Sequence, residues 1–347
     1  MGEQPERVGR AGADIADVAR RAGVSTATVS RALRGLPNVA EDTRIRVMAA
    51  AAELDYVITP SASRLASGQT HSIGVVVPFL GRWFFGQVLS GAEEVLRAAG
   101  YDVLLFALPH DDARAEFFAR MPLRRRVDGV LLLTLPMLPR ERVTLAALGV
   151  PLAAVGVTAP GVSSVGIDDV AAARSAVAHL ANLGHQRIAM IGGDSAEPGP
   201  FTVPHDRGRG YREALAQADL RSLPGYEIDG RFTFSGGEAA MADLLALPQP
   251  PTAVFVQSDE MAVGAMRAVR LAGLTCPGDV SIVGFDDHEL AAMVDLSTIS
   301  QPVHDQGRVA AQLLLDEIGG AEPVQRLLPT RLVLRSSTAP PGGRLRG

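Results

Sequence analysis

At 347 residues, 47% hydrophobic and 20% charged, the chain has the apolar content to bury cores and too much length for one ordinary core. Extensive disorder is therefore excluded and two or three folding units are expected. The single cysteine, Cys276, rules out an internal disulfide, and no apolar run is long enough to cross a bilayer. The polar opening MGEQPERVGRAGAD lacks the apolar centre of an export signal, so the expectation is a cytoplasmic protein with no membrane partner. A net charge of -5 does not by itself point to a polyanion, but its distribution matters more. Eight arginines lie between Arg7 and Arg46 against Asp14, Asp17, Glu41 and Asp42, and the remainder of the chain is acidic. Every basic residue is arginine, a bias to which we attach no function.

The first predicted helix starts at Asp14, a good N-cap, and carries Ile15, Val18, Ala19 and Ala22 at helical spacing until Gly23 stops it. Ser25 is placed to cap a second, with Val29, Ala32 and Leu33 inward. Its other side offers Thr26, Ala27, Ser30, Arg31 and Arg34, small or basic groups able to approach a groove wall and its phosphates. A third amphipathic stretch, Glu41 to Leu54, offers Ile45, Met48 and Ala52 as its buried face. Pattern alone leaves two readings open, a helix-turn-helix and an ordinary three-helix bundle with a solvated arginine face.

The residues themselves separate these readings. The run DIADVARRAGVSTATVSRALRG followed by VAEDTRIRVMAAAAELDYV resembles the DNA-binding head of the lactose-repressor (LacI/GalR) family, including its "VA..AGVS..TVSR.L" and "T...V..AA.EL.Y" elements. The resemblance implies that Thr26 and Ala27 match the residues that choose operator bases and that Arg31 matches the arginine reading a guanine. An arginine fork suits guanine O6 and N7, and the two methyls suit a thymine methyl. Ser25, Thr28 and Ser30 would position phosphates.

After Tyr56 comes VITPSASRLASGQTH, whose composition suits a short helix too marginal to hold alone, or a passive tether. It resembles the same family's hinge helix, which implies that Leu65 wedges into the minor groove and Ala62 faces the partner helix. The family's "Y.PN" is absent here; Pro60 comes two residues late, so the hinge is expected to start later.

From Ser72 the chain alternates β-rich runs with helical stretches. SIGVVV, YDVLLF, VDGVLLL, VPLAAVG, RIAMIGG, TAVFVQSD and VSIVGFDD read as buried parallel strands, and Gln87 to Ala99 as a helix with Val88, Ala92, Val95 and Ala99 on one side. This is doubly wound α/β, with more strands than one small sheet needs. It resembles the type I periplasmic-binding-protein fold, implying two lobes joined by three crossovers and a ligand between them. The expected layout is an all-α helix-turn-helix domain over residues 1–60, a hinge over 61–70, and an α/β effector-binding and dimerisation domain over 71–347.

Ligands of open parallel sheets sit beyond the carboxyl ends of the strands. Asp168, Asp194, Asp259, Asp286 and Asp287 all follow strands, Arg207 opens RGRGYREAL, and Trp83, Phe84 and Phe85 are expected in the loop after the first strand. Carboxylates, a guanidinium and an aromatic face are what a sugar pocket needs. Each carboxylate is alternatively an N-cap; Asp287 is read as a cap, Asp194 as a turn residue, and one of Phe84 and Phe85 as core. The family resemblance implies effector contacts at Asp168, Arg207, Phe232, Ser258, Asp286 and Gln301, to which the residues add Trp83 and Phe85. Phe232 and Ser258 stand where sugar-responsive relatives often carry tryptophan and asparagine, which leaves the effector's identity open.

Nothing points to catalysis, a cofactor or a metal. Gly208-Arg209-Gly210 lacks the third glycine and preceding strand of a dinucleotide fingerprint, the seven histidines lack ligand spacing with His179 and His185 read as structural, and no nucleophile has a base partner. The end APPGGRLRG carries no leucine heptad, so no tetramerising tail is expected. The expectation is a homodimeric transcriptional regulator, a repressor of carbohydrate-utilisation genes on a near-palindromic double-stranded operator, controlled by a small sugar-like effector. Alternatives are a purine- or nucleoside-responsive repressor or activator of the same fold, a sugar-binding transport protein, and an enzyme on a Rossmann-like scaffold.

Overall fold

The computed structural model describes residues 13–33, 36–56, 69–135, 137–193 and 202–342. Of the expected functional residues, Arg34, Ala62, Leu65 and Asp194 lie outside them. The chain divides into two compact units, residues 1–70 and 71–347.

The first unit is a three-helix bundle. In α1 (Ile15–Ala22) the Asp14 carboxylate accepts from Asp17 N while Asp17 accepts from Asp14 N, a reciprocal cap. Gly23 ends the helix at φ 68, a left-handed conformation that costs glycine nothing. Ser25 Oγ accepts from Thr28 N at 3.2 Å at the start of α2 (Thr26–Leu33), so the turn between the helices is held by two short-range caps. Val18, Ala19, Ala22, Val29 and Ala32 form the core with Val47, Ala50 and Ala51 of α3 (Glu41–Glu53). That last set corrects the expected inner face of α3: Ile45 and Met48 are 58% and 54% exposed, and Ala52 is exposed too. The stripe Val47, Ala50, Ala51, Leu54 has the same helical spacing one step round, and small alanines let the helices approach where Ile45 and Met48 would not.

The second unit holds two six-stranded sheets. β1 (Ser72–Val77), β2 (Asp102–Ala107), β3 (Gly129–Leu133), β4 (Leu152–Val155) and β5 (Ser163–Gly166) join β11 (Gln325–Leu327) in the order β11-β5-β4-β3-β1-β2, all parallel. β6 (Ile188–Gly192), β7 (Glu227–Asp229), β8 (Ala253–Val256), β9 (Ser281–Asp286) and β10 (Ser297–Ser300) join β12 (Arg331–Val333) in the order β12-β10-β9-β8-β6-β7, with only β12 antiparallel. The chain therefore passes between sheets three times: β5 to β6, β10 to β11, and β11 to β12.

Strand alternation separates the two faces of each sheet. Ile73, Val75 and Val77 pack with Val88, Ala92 and Leu96 of α4 (Trp83–Ala98) and with Ala310, Ala311 and Leu314 of α12 (Val303–Ile318). Val76, Val130 and Leu132 face the other way, toward Phe117 of α5 (Asp111–Arg120) and Leu145 of α6 (Pro139–Ala146). In the second lobe, α7 (Asp169–Asn182) and α8 (Val203–Gln217) cover one face, and α9 (Phe234–Leu245) with α10 (Asp259–Leu271) the other. Two readings of the sequence change here. β2, expected buried, is an edge strand and only half-buried, and α4 begins at Trp83, so Val88 and Ala92 are inside but Ala99 is exposed.

Candidate nucleic-acid interface and small-molecule cleft

In the first unit, Ser25, Thr26, Ala27 and Arg31 are exposed along one side of α2 and Thr28 and Ser30 are half-buried beside them. Val29 and Ala32 turn into the core, so this orientation follows from the helical period. Other arginines of the unit are engaged: Arg20 with Asp17 at 3.1 Å, Arg21 with Glu53 at 2.7 Å, and Arg44 with the carbonyls of Ala32 and Leu36. Arg31 has no ion pair among the described residues, which leaves its fork available. Ser25 Oγ and Thr28 Oγ1 lie 2.9 Å apart, already bonded to each other.

In the second unit a pocket of about 80 Å³ lies between the lobes. Both sheets reverse their strand order next to it, the first between β1 and β3 and the second between β6 and β8, and loops leaving adjacent strands in opposite directions open a crevice there. The first lobe supplies Arg82, Phe84 and Phe85 after β1 and Thr134 after β3. Opposite them stand Val203 and Arg207 after β6, Phe232 after β7, Ser258 and Glu260 after β8, and Asp286 at the end of β9.

Arg207, 5% exposed, is fixed on every side. Nε donates to Asp169 Oδ1 at 2.7 Å, Nη1 to the Gln257 carbonyl at 2.6 Å, and the guanidinium sits 3.5 Å over the Phe285 ring. Asp286 Oδ1 is 3.8 Å from Arg207 Nη1 and accepts from Gln301 Nε2 at 2.6 Å, and Gln301 is in turn held by Gln306 at 2.8 Å. Burial pushes the Asp286 carboxyl up to about 7. Arg207 and Gln301 oppose that shift without cancelling it, because the guanidinium is committed first to Asp169. Near pH 7 Asp286 is thus divided between an ionised form that only accepts hydrogen bonds and a protonated form that can also donate one. Burial likewise raises Asp169, Glu260 and Asp259, the last by a large margin, with Asp259 accepting from Thr298 Oγ1 and His288 N.

The lobes also touch directly. Arg82 Nη2 donates to the Arg231 carbonyl at 3.3 Å and its guanidinium lies 5.9 Å from the Phe232 ring centre, while Trp83 stacks on His288 with centroids 4.6 Å apart. Burial lowers the Arg82 guanidinium, and the negative charge of Glu260, which lines the same pocket, opposes that lowering.

Of the residues expected to contact effector, Phe85, Arg207, Phe232, Ser258 and Asp286 line this pocket and Gln301 braces it through Asp286. Ser258 also caps α10, accepting from Met261 N. Two expected residues stand elsewhere. Asp168 is an exposed N-cap, accepting from Ala171 N at 2.9 Å, and it is the neighbouring Asp169 that pairs with Arg207; Trp83 packs on His288 and is not among the lining residues. Asp287 corrects its reading as a cap: its carboxylate accepts from Arg335 at 2.7 Å, and His288 Nδ1 caps α11 (Glu289–Met293). Phe84, Phe85 and Trp83 belong to the first turn of α4, and of the two phenylalanines Phe85 is the buried one. The sequence reading missed Arg82, Thr134, Val203 and Glu260. Two of these carried a signal, since Glu260 follows β8 two residues after Ser258 and Thr134 comes directly after the apolar run of β3.

No group of three metal-ligating side chains occurs among the described residues, and no described helix is long and apolar enough to cross a membrane. His185 is bonded to Thr252, Ser281 and the Ala339 carbonyl, and burial pushes the Cys276 thiol up to about 12, so both are structural or inert groups.

Comparison with known proteins bears on both units. Residues 14–58 match the family of bacterial regulatory proteins, lacI family, and residues 177–338 match the periplasmic binding protein-like domain. The HTH-type transcriptional repressor CytR of Escherichia coli (strain K12) is 38% identical over 333 residues, covering 94% of this chain and 96% of the relative. The chain belongs to the LacI family.

Solved members agree with the geometry of this LacI-family protein. The Lac repressor dimer bound to operator and the anti-inducer ONPF is 28% identical, covers 94% of this chain and 99% of its own, and has a TM-score of 0.84. A complex of the transcriptional regulator CelR with cellobiose is 32% identical with a TM-score of 0.70 and the same coverage. The protein is a DNA-binding transcriptional regulator of the repressor type and not an enzyme.

Proposed function

We propose that this LacI-family regulator is a homodimeric, cytoplasmic repressor of carbohydrate-utilisation genes that reads a near-palindromic operator and responds to a sugar-like effector held between its lobes. The observation that carries this reading is the pocket at two facing switch points, with buried Arg207 and Asp286 beside the aromatic faces of Phe85 and Phe232, in one chain with an α2 that exposes Thr26, Ala27 and Arg31. Hydroxyl-bonding groups beside apolar ring faces suit a carbohydrate, and the cellobiose-bound relative supports that class.

Dimer formation is supported by an open apolar groove of about 740 Å³ on α9 and α10, with Phe234, Leu271 and Met293 exposed on this unit. Pairing would set two copies of α2 on related half-sites. Effector then alters operator affinity by the difference between its own affinities for the free and DNA-bound states.

A gel-shift against the DNA upstream of the protein's own gene tests the reading, run with and without sugars. The expected result is preference for a palindromic duplex over its scrambled counterpart, changed by at least one sugar; indifference to sequence under all conditions overturns it. In parallel, a thermal-shift screen of mono- and oligosaccharides should find a ligand whose stabilisation Asp286→Ala removes, and a shift that survives this substitution moves the pocket elsewhere.

A further inference from the structure

We infer that Thr134 determines effector specificity, its hydroxyl pairing with a hydroxyl group of the bound ligand. This rests on the sugar reading above and deepens it.

Thr134 directly follows β3 at φ 43, a left-handed conformation that is rare for a β-branched residue and persists only where the surroundings impose it. Two neighbours impose it here. Its N–H donates to the Val155 carbonyl at 2.8 Å, and its methyl is turned against Gly156, where any Cβ would come within 2.7 Å of Thr134 Cγ2. Gly156 is itself at φ 71, so a glycine is needed there on two counts.

The side chain fixed in this way lines the pocket, is 6% exposed, and its Oγ1 has no hydrogen-bond partner among the described residues. The other polar groups of the pocket are engaged: Arg207 with Asp169, Asp286 with Gln301, Ser258 with Met261 N, and Arg82 with the Arg231 carbonyl. A buried hydroxyl left unpaired in a strained, pre-set side chain is costly to the empty protein. Oγ1 is buried in the ligand-free protein, so the hydroxyl becomes favourable when the lobes part enough for a ligand to supply the partner. Because a hydroxyl both donates and accepts, it matches an alcohol of a polyol and rejects a ligand that places carbon there. The second lobe presents Asp286 and Ser258 to the same space, so the ligand would be gripped by polar groups from both lobes at once.

Thr134→Val tests this directly, since valine keeps the shape, the β-branching and the backbone strain and removes only the hydroxyl. In the full-length protein without ligand, the valine variant should melt about 2–4 °C higher than wild type, and Thr134→Ser should not rise. A valine variant that melts lower shows the hydroxyl bonded within the protein and overturns the proposal. With a panel of mono- and oligosaccharides that includes D-ribose and cellobiose, the sugar that stabilises wild type should bind the serine variant comparably and the valine variant roughly tenfold or more weaker. Equal binding by the valine variant overturns the role of Thr134 and leaves the sugar reading standing. No stabilisation of wild type by any sugar in the panel overturns both.

Discussion

Asp286 shows how burial and charge compete at a single residue. Its carboxyl titrates near 7 in the folded chain and near 3.8 when unfolded, so between these values the native state holds a proton that the unfolded state has lost. The resulting stability is complete below about pH 3.8 and is lost as pH rises through about 7. Asp169, Asp259 and Glu260, all raised by burial, act in the same direction. Asp286→Asn should therefore flatten the fall in ligand-free stability between pH 4 and 7, measured by urea denaturation; a slope equal to that of wild type would show that Asp286 is ionised throughout. On α2, the unengaged Arg31 invites the matching experiment on DNA. Arg31→Ala should weaken operator binding by about 1–3 kcal/mol and spare non-specific binding more, and equal losses on both duplexes would make Arg31 a phosphate contact. Asp286 was legible as a carboxylate just past an apolar run, whereas Phe232, Ser258 and Gln301 came from the family resemblance, and Arg207 from that resemblance together with its place at the head of RGRGYREAL. Arg82 gave no such sign, because its role comes from a contact across the lobes, and Thr134, although it follows β3 directly, is set apart only by its unpaired buried hydroxyl. Asp168 and Asp169 are adjacent carboxylates, and only the rotation of α7 decides which one meets Arg207.

Among the elements, the ones with a single buried face were readable from their period. α1 and α2 have inner faces that match their apolar spacing, and the strands at the centres of the two sheets, buried on both faces, were readable instead as continuous apolar runs. α3 did not, since Ala50 and Ala51 outweigh Ile45 and Met48 for a reason of helix separation that hydrophobicity does not encode. The short strands β5, β7, β10, β11 and β12 were invisible because, unlike the equally short but wholly apolar β4 and β8, they mix polar and apolar residues, and Gln325–Leu327 is exposed throughout. The pairing of α4 with α12 depends on two glycines. A Cβ on Gly91 would overlap the His304 carbonyl, and one on Gly307 would overlap that of Val88. Both neighbours are backbone and cannot yield. Gly91→Ala or Gly307→Ala should force the helices apart at a cost of about 1–3 kcal/mol, visible as a lower melting temperature, whereas Gly86→Ala on the same helix meets nothing within 4 Å and should be tolerated.

At the scale of the whole body, the lobes are joined by three crossing segments and meet again at Arg82 and Trp83. Segments of this kind permit hinge motion, and Trp83 is the chain's only tryptophan, stacked on the opposite lobe. Its emission therefore reports on the gap between lobes. Arg82→Ala, which removes the bond to the Arg231 carbonyl, should shift ligand-free emission to longer wavelength as water reaches the indole; an unchanged spectrum would show that Arg82 does not hold the lobes together. The last crossings have a consequence for synthesis. β11 pairs with β5 in one sheet and β12 with β10 in the other, so both lobes are finished by residues 325–333. A ribosome that has made every other strand still displays two sheets with an open margin, and a premature stop near residue 320 would leave both margins bare at once, the kind of edge onto which nascent chains add one another. Quality control of this regulator thus falls on the short run of codons for residues 325–333.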